Sequence, residues 1–238
     1  MINLTKDEEQ KSSGIGTLSE KSLHAGLKDW VSQPGDEFEV KVGGFVIDVV
    51  RQELLIEIQT RHLYAIKRKL TKLLSNGHEI RLLHPIAREK WIVRETAVGD
   101  PISRRKSPKR GQTLDIFKEM VRLTGLIPHP NLTIEVLLTQ EEEILRDDGK
   151  GSWRRKRWSI HDRRLLDVVS RQSFGDKTDY LAVIPEELER PFTNKQLAYA
   201  LGCRHDLATK ITYTLRQMEL LEIIGKEGRS NLYAPTGY

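Results

Sequence analysis

Two acidic side chains, Asp48 and Glu57, lie in an otherwise apolar stretch, GGFVIDVVRQELLIEIQ. The β-branched and aliphatic residues on both sides of Arg51 and Gln52 predict two short strands joined there by a two-residue hairpin turn. In that register Asp48 pairs with Leu55 and is diagonal to Glu57 on the same face, with about 7–8 Å between Cα atoms. Buried carboxylates are costly without a compensating cation. The pattern therefore predicts that the two acids hold one divalent cation.

A third acid belongs to a helix predicted upstream, which begins near Thr17 and ends before Pro34. Glu20 lies one turn before Leu23, the first residue of the helix's apolar stripe, so its carboxylate projects from the buried side. His24 lies one turn further along. We expect this histidine to be packed or hydrogen-bonded rather than to bind a metal.

The order of these features resembles the PD-(D/E)XK nuclease superfamily over roughly residues 18–95: an acid-bearing helix, a hairpin, a strand and a basic helix. The resemblance implies an α/β class protein, a restriction-endonuclease-like α/β/α sandwich with a mixed sheet. It also implies a metal-dependent endodeoxyribonuclease in which Glu20, Asp48 and Glu57 bind Mg²⁺ or Mn²⁺. The alternative for the residues themselves is an ordinary hairpin whose acids form salt bridges.

The superfamily usually has a lysine two residues after its glutamate, and this chain has Gln59 there. Gln59 can hydrogen-bond to an attacking water, but it carries no charge for the transition state. We expect a lysine from the following helix, TRHLYAIKRKLTKLLSNG, to supply that charge. Lys67 is our candidate, because it lies one turn after Leu63 at the edge of the apolar stripe. Lys69 and Lys72 are expected to point further away.

Composition limits the classes of partner. The 238 residues include 39 Lys and Arg against 34 Asp and Glu, a formal charge of +5, with one cysteine. A single cysteine excludes internal disulfides and cysteine-rich zinc sites. No apolar run is long enough to span a membrane, and the N-terminus lacks a signal-peptide core. We expect a cytoplasmic protein whose partner is DNA rather than a membrane, as a homodimer or in a larger nucleoprotein complex.

Two basic segments are candidates for phosphate contacts. Residues 99–112, rich in Gly, Pro and Ser, are expected to form an exposed loop. Its proposed DNA contacts are Arg104, Arg105, Lys106, Lys109 and Arg110. A second segment, residues 150–157, interleaves cations with tryptophan, a mixture that suits backbone contacts and base stacking. Its proposed DNA contacts are Arg154, Arg155, Lys156 and Arg157.

The C-terminal sequence predicts a short helix, a turn (CRHD), a longer helix and a two-stranded hairpin that turns at Glu227-Gly228-Arg229. This order resembles a winged helix-turn-helix domain, whose second helix enters the major groove of DNA. The residues proposed to contact DNA are Arg204, His205, Thr209, Lys210 and Tyr213 in that helix, with Lys226 and Arg229 in the wing. Winged helices also dock proteins, and that alternative stays open.

The sequence thus predicts a flexible lead (1–16), a nuclease-like domain (17–148), a basic connecting segment (149–186) and a winged-helix domain (187–238). The predicted function is phosphodiester hydrolysis in DNA, targeted by the winged helix. The alternative is a non-catalytic DNA-binding regulator or assembly subunit with a degenerate nuclease fold. The missing lysine favours the regulator, and the three acids on faces where buried charge is costly favour the enzyme.

Overall fold

The computed structural model of the chain describes residues 21–151 and 158–237. The predicted ligand Glu20 and the predicted contacts Arg154, Arg155, Lys156 and Arg157 lie outside the described residues. Within the described ranges the protein is α/β, with a seven-stranded mixed sheet, six α-helices and a separate two-stranded hairpin.

The elements follow in chain order. They are α1 (Lys21–Val31), β1 (Glu37–Val42), β2 (Phe45–Arg51), β3 (Leu54–Ile58), α2 (Lys67–Ser75), β4 (Glu79–Glu95), β5 (Pro101–Lys106), α3 (Phe117–Met120), β6 (Leu132–Arg146), β7 (Ser159–Phe174), α4 (Lys177–Leu181), α5 (Asn194–Ala200), α6 (His205–Gln217), β8 (Leu221–Glu227) and β9 (Ser230–Pro235). Short 3₁₀ turns precede α2 (Leu63–Ile66) and α3 (Thr113–Ile116).

The large sheet has the order β1-β2-β3-β4-β6-β7, and β5 also pairs with β4. Pairs β3–β4 and β4–β6 are parallel, whereas the others are antiparallel. β4 is one continuous strand of 17 residues. A bulge between Ala87 and Glu89 lets it continue past that point. β3 pairs with β4 only as far as Leu83, and β5 takes its place from Trp91 onward.

Both faces of the sheet are covered. Neighbouring residues on a strand point to opposite sides, so the central strands contribute to two separate cores. Ile56 and Leu83 pack on one side with Leu23 and Leu27 of α1. The other side carries the larger core, which includes Leu55 and the buried residues of α2 and α3. The helices on the two faces give the chain the layered α/β arrangement that its sequence predicts.

The β2–β3 hairpin turns one residue later than expected, which shifts each residue's partner across the ladder by two. Arg51 pairs with Leu54 inside the ladder, and Gln52 and Glu53 form the turn. Gln52 adopts the left-handed conformation (φ 56°) that tight hairpin turns require. Arg51 is fixed in the strand instead, because its guanidinium donates to both carboxylate oxygens of Asp36 at 2.8 Å. The predicted pairing of Asp48 with Leu55 is therefore wrong, since Val50 pairs with Leu55.

Two segments expected to be irregular are strands. Residues 101–106, inside the predicted exposed loop, form β5, whose only proline stands at the first position, where a strand tolerates it. Most of the predicted connecting segment, 149–186, belongs to β7 and α4. β7 is an edge strand, and charged or polar residues occupy many of its exposed positions. Its sequence therefore lacks the alternation of apolar and polar residues that predicts a strand.

The C-terminal elements have the expected order of two helices and a hairpin, α5, α6, β8 and β9. Thr193 begins α5 with a capping box in which Gln196 is the partner. Leu207 and Ile211 of α6 lie in the same buried cluster as Phe117 of α3. These elements therefore pack directly on the sheet body rather than on a separate core.

Candidate functional site

An open cleft of about 630 Å³ lies at the C-terminal end of β3, between α1 and α2. We call it the carboxylate cleft, and the side chains that matter are His24, Asp48, Glu57, Gln59 and Lys69. The last pair of the observed ladder is Val49 with Ile56, and the same register continued by one residue places Asp48 across from Glu57, where it was expected on a diagonal. Side chains directly opposite have Cβ atoms about 4.5–5.5 Å apart. The two predicted acids are thus closer than the sequence indicated.

Asp48 is held by two donors. The backbone N–H of Ile58 donates to its Oδ2 at 2.8 Å, and Nε2 of His24 lies 3.2 Å from the same oxygen. Burial raises the pKa of Asp48, but the hydrogen bonds from His24 and Ile58 outweigh burial and keep the pKa below its usual value. Asp48 is therefore ionised at neutral pH.

Glu57 is 4% exposed, and its negative charge is less fully compensated than that of Asp48. The ammonium of Lys69 lies 2.5 Å from its Oε1, but outside hydrogen-bond alignment. Among the described residues this buried oxygen has no hydrogen-bond donor. Burial, with a further contribution from the charge of Asp48, raises the pKa of Glu57 to about 7 although Lys69 opposes the shift. Glu57 is an acid that a further cation would stabilise.

The lysine at the carboxylates is Lys69 and not the predicted Lys67. Lys69 also donates to the carbonyl oxygen of Val46, whereas Lys67 is exposed. The chain enters α2 through the 3₁₀ turn over Leu63–Ile66. A 3₁₀ turn rotates the chain about 20° more per residue than an α-helix does. The helical phase counted from Leu63 was therefore shifted, and the wrong lysine was placed at the core edge.

Gln59 lines the carboxylate cleft, but its amide nitrogen is engaged. It donates to the carbonyl oxygen of Arg61 at 2.5 Å, which closes the turn after β3. The Gln59 carbonyl oxygen lies 2.6 Å from Nδ1 of His84, a buried histidine whose pKa burial lowers. The structure therefore gives Gln59 a role in holding the end of β3.

Sequence reasoning missed His24 and Lys69 as site residues. The signal for His24 was its position one helical turn after Glu20, the acid expected to reach the same place. For Lys69 the sequence carried no signal, because its orientation depends on the 3₁₀ turn. Among the residues that the structure describes, no three His, Cys, Asp or Glu side chains converge as metal ligands.

The predicted phosphate contacts of β5 are mostly paired within the protein. Nε of Arg104 lies 2.7 Å from Glu142, and Nζ of Lys106 lies 2.7 Å from Glu89. Both cations also lie over the ring of Trp91. Glu142 belongs to an acidic run on β6, Glu141–Glu143, whose carboxylates lie beside Arg163 of β7, Arg104 of β5 and Lys90 of β4. Its role in the structure is to neutralise basic strands.

The three other cations that were predicted to contact DNA in this segment differ in whether a carboxylate lies beside them. Arg110 lies 3.7 Å from Glu89, a carboxylate that it shares with Lys106. Arg105 and Lys109 have no carboxylate within 4 Å in the described part of the chain. The predicted basic loop is therefore a mixture of paired and unpaired cations.

The predicted recognition helix α6 is buried on two sides and exposed along one stripe. His205, Thr209 and Tyr213, four residues apart, form that stripe. Lys210 forms an i,i+4 ion pair with Asp206 at 2.7 Å. The predicted wing residues Lys226 and Arg229 are exposed on the β8–β9 hairpin. The arrangement leaves one face of α6 free for a partner.

No helix in the described ranges has the length and apolar character needed to cross a membrane.

Comparison with known proteins gives a family but no activity. Residues 21–175, from the start of α1 to the residue after β7, match the family model described as "Domain of unknown function (DUF8091)". The chain is also similar to an "Uncharacterized protein" of Treponema pallidum (strain Nichols), with 33% identity over 223 residues, 92% of this chain and 86% of the relative. No solved structure matches the chain. The model covers more than half of the sequence, so the chain belongs to the DUF8091 family.

Proposed function

We propose that this protein is a divalent-metal-dependent endodeoxyribonuclease of the PD-(D/E)XK type. The observation that carries the proposal is that Asp48, Glu57 and Lys69 line one cleft, with the ammonium of Lys69 2.5 Å from Glu57. Two acids and one lysine at the end of a strand are the side chains that the resemblance implies. The lysine comes from α2 instead of the position of Gln59.

The topology supports this proposal. α1 is followed by the antiparallel strands β1, β2 and β3, and α2 then connects β3 to the parallel strand β4. α1 and α2 lie on opposite faces of the sheet. This is the order expected of a restriction-endonuclease-like sandwich. The cleft lies where β3 ends, at the point where α2 begins its return to the sheet.

The two carboxylates fit a magnesium ion. Mg²⁺ keeps several waters and is usually bound through one or two carboxylates together with substrate phosphates, so three protein ligands are not required. The contact of Glu57 with Lys69 uses Oε1. Both contacts of Asp48 use Oδ2. Glu20 stays a predicted third ligand.

The chain's own residues then have separate roles. Asp48 and Glu57 would hold the ion, which when bound would polarise the scissile phosphate and lower the pKa of an attacking water. The Lys69 ammonium stabilises the negative charge that develops on the phosphate in the transition state. His24 fixes the orientation of Asp48 through its contact with Oδ2. Gln59 keeps the end of β3 in place through the turn at Arg61.

The C-terminal helices supply the proposed targeting. The exposed stripe of His205, Thr209 and Tyr213 is suited to the major groove, and Lys226 and Arg229 of the hairpin to phosphates. On this proposal α5, α6, β8 and β9 form a winged helix-turn-helix unit. It brings DNA to the sheet body, on which α6 packs.

A second candidate is a non-catalytic DNA-binding regulator. The observation that favours it is that each acid already has a protein cation or donor nearby, Lys69 for Glu57 and His24 for Asp48. A fold that had lost its metal would need such internal compensation. The two candidates share DNA binding and differ in metal binding and cleavage.

The experiment that separates them compares Asp48→Ala and Glu57→Ala with the control Glu53→Ala, an exposed acid at the tip of the same hairpin. Each protein is incubated with supercoiled, linear, single-stranded and branched DNA in Mg²⁺, Mn²⁺ or EDTA. We expect metal-dependent cleavage by the parent and by Glu53→Ala, and none by the other two variants.

Calorimetric titration with Mn²⁺ adds a readout that does not depend on DNA. We expect binding by the parent and weak or no binding by Asp48→Ala and Glu57→Ala. A parent protein that binds DNA but neither binds Mn²⁺ nor cuts would overturn the nuclease and leave the regulator.

A further inference from the structure

A second cleft, of about 730 Å³, lies where the sheet body meets the N-terminal end of α6. One wall is the segment that follows β5, residues 109–118, and the other is residues 202–207. Ala87 and Lys90 of β4 also line it. We call it the junction cleft. It joins two groups of cations that the sequence presented as separate, one in the body and one at the predicted recognition helix.

The charge of the junction cleft is positive. Its basic lining residues are Lys90, Lys109, Arg110, Lys118 and Arg204. Lys90 is paired with Glu143 at 2.8 Å, and Arg110 lies 3.7 Å from Glu89. The two carboxylates of the cleft are engaged by other groups: Asp115 accepts from Lys118 at 2.6 Å, and Asp206 accepts from Lys210 at 2.7 Å. Lys109 and Arg204, from opposite walls, have no carboxylate within 4 Å in the described part of the chain.

Cations from both walls of the junction cleft lower the pKa of the same carboxyl group, that of Asp206. Lys210 lowers the pKa of Asp206 most, and the charges of Lys118 and Arg204 lower it further. Lys118 belongs to α3 of the sheet body, and Arg204 is the N-cap residue of α6. A negative group at the position of Asp206 is therefore attracted from both sides.

The end of α6 adds to this attraction. The helix has 13 residues, and its N-cap residue, Arg204, makes no side-chain capping bond. The first backbone N–H groups of an uncapped helix need an outside acceptor and carry partial positive charge. Leu207 and Ala208 already donate to the carbonyl oxygen of Arg204. An oxyanion in the junction cleft could accept from the N–H groups of His205 and Asp206, so the basic side chains and the helix end attract the same kind of ligand.

The opposite wall is fixed against the sheet. The backbone N–H of Gly111 donates to the carbonyl oxygen of Ala87 at 2.9 Å. A Cβ at position 111 would lie 2.5 Å from Cγ2 of Ile86 and 2.7 Å from that carbonyl oxygen, so only glycine permits this approach. The segment carrying Lys109 and Arg110 is thus pinned to β4. The backbone that carries these cations is therefore held in place before any ligand arrives.

We propose that the junction cleft binds the phosphodiester backbone of DNA and that Lys109 and Arg204 contact its phosphates from the two walls. The proposal rests on the proposed function for its choice of DNA, but it does not depend on cleavage. A strand lying along the exposed stripe of α6 leads past His205 into this cleft. The body and α6 therefore hold one continuous length of backbone.

The test measures duplex DNA binding by fluorescence anisotropy in EDTA over a range of salt concentrations. The proteins are full-length Lys109→Ala, Arg204→Ala, their double variant and the control Lys41→Ala, an exposed cation on β1. Each phosphate contact contributes about 0.9 to the slope of log affinity against log salt. We expect each single variant to lose about 1 unit of slope equally on unrelated sequences, the double variant about 2, and the control none.

Inorganic phosphate separates a DNA backbone from a free anion as the ligand. If the cleft binds DNA, the double variant loses DNA affinity at low salt; a double variant that loses calorimetric binding of inorganic phosphate but keeps the DNA affinity of the parent would overturn the proposal in favour of a small-anion site. An unchanged slope in the double variant would also overturn it. Because binding is measured without metal, a protein that binds DNA and cuts nothing defeats the nuclease proposal alone.

Discussion

The carboxylate cleft and the strand β5 both place acids beside cations, but the two regions differ in burial and in balance. On β5 the charges are largely exposed, and Arg104 and Lys106 each have a carboxylate partner at 2.7 Å. In the carboxylate cleft Glu57 is 4% exposed, and its Oε1 has an ammonium beside it without an aligned hydrogen bond. On β5 each of these two cations has its own carboxylate, whereas in the carboxylate cleft one ammonium acts on two carboxylates.

This difference indicates which charges are there for function. Exposed ion pairs contribute little to folding, so the pairs of β5 need no explanation beyond solubility and strand register. A buried carboxylate destabilises the fold unless it is fully compensated, and groups with strongly perturbed pKa values cluster at functional sites. The unbalanced acid, Glu57, is therefore the better functional candidate, although the basic segments are more prominent in the sequence.

The largest expected effect is on turnover, and it separates two lysines on the same helix. Lys69→Ala removes the charge beside Glu57 and should lower the cleavage rate by about 10²- to 10³-fold, as the loss of one electrostatic donor does. Lys67→Ala is the matched control, because Lys67 is exposed and two residues away. The rates are compared in saturating Mn²⁺ at pH 8.5, where Glu57 stays ionised.

Adding Gln59→Lys to Lys69→Ala sharpens the result. The new lysine follows Glu57 by two residues on the same strand face, where the superfamily usually has it, and should restore part of the rate. Equal rates for Lys67→Ala and Lys69→Ala would show that the ion pair with Glu57 is only structural.

The next effect is on stability, and its sign follows from the pKa of Glu57. That pKa is about 7 in the fold against 4.5 for the free group, so folding favours the protonated acid. Stability from this group is present below pH 4.5, is lost as the pH rises, and is gone above about 7. Glu57→Gln should therefore stabilise the metal-free protein by about 3 kcal/mol at pH 8 and hardly at all at pH 4.5.

Urea unfolding in EDTA at several pH values measures this difference. Glu53→Gln is the control, since it alters an exposed acid of the same hairpin. A stability difference between the parent and Glu57→Gln that stays constant from pH 4.5 to 8 would contradict the raised pKa. It would also remove the contrast between the cleft and β5.

The fold was predictable where local patterns agree with burial. The apolar alternation around Asp48 and the helical stripe of α1 predicted elements that the structure contains. β5 and β7 were missed because they pair at or near sheet edges and carry charged residues on their open sides, which removes the alternation. A strand that depends on its neighbours for burial leaves a weak trace in its own sequence.

The site was predictable in its acids but not in its cations. Asp48 and Glu57 were identifiable because acids are rare among buried apolar residues. The register error of two residues arose because Arg51 is held in the strand by Asp36, a contact across 15 positions of sequence. Lys69 depends on a 3₁₀ turn that side-chain periodicity does not reveal.

The smallest expected effect separates two neighbouring arginines of β5. Arg105 has no carboxylate within 4 Å in the described residues, whereas Arg104 is paired with Glu142 and lies over Trp91. A phosphate must displace Glu142 to reach Arg104, but it meets no such competitor at Arg105. We therefore expect Arg105→Ala to lower the salt slope of DNA binding by about 1 and Arg104→Ala to leave it nearly unchanged.

Glu142→Ala extends this prediction, because it frees Arg104 without adding a cation. Its salt slope should rise by about 1, and the additional Arg104→Ala change should return the slope to the parent value. Fluorescence anisotropy in EDTA measures all four variants beside the parent. If Arg104→Ala and Arg105→Ala lower the salt slope of DNA binding equally, the ion pair with Glu142 does not prevent Arg104 from contacting DNA. The balance of charge would then decide which side chains act only in the buried carboxylate cleft and not on β5.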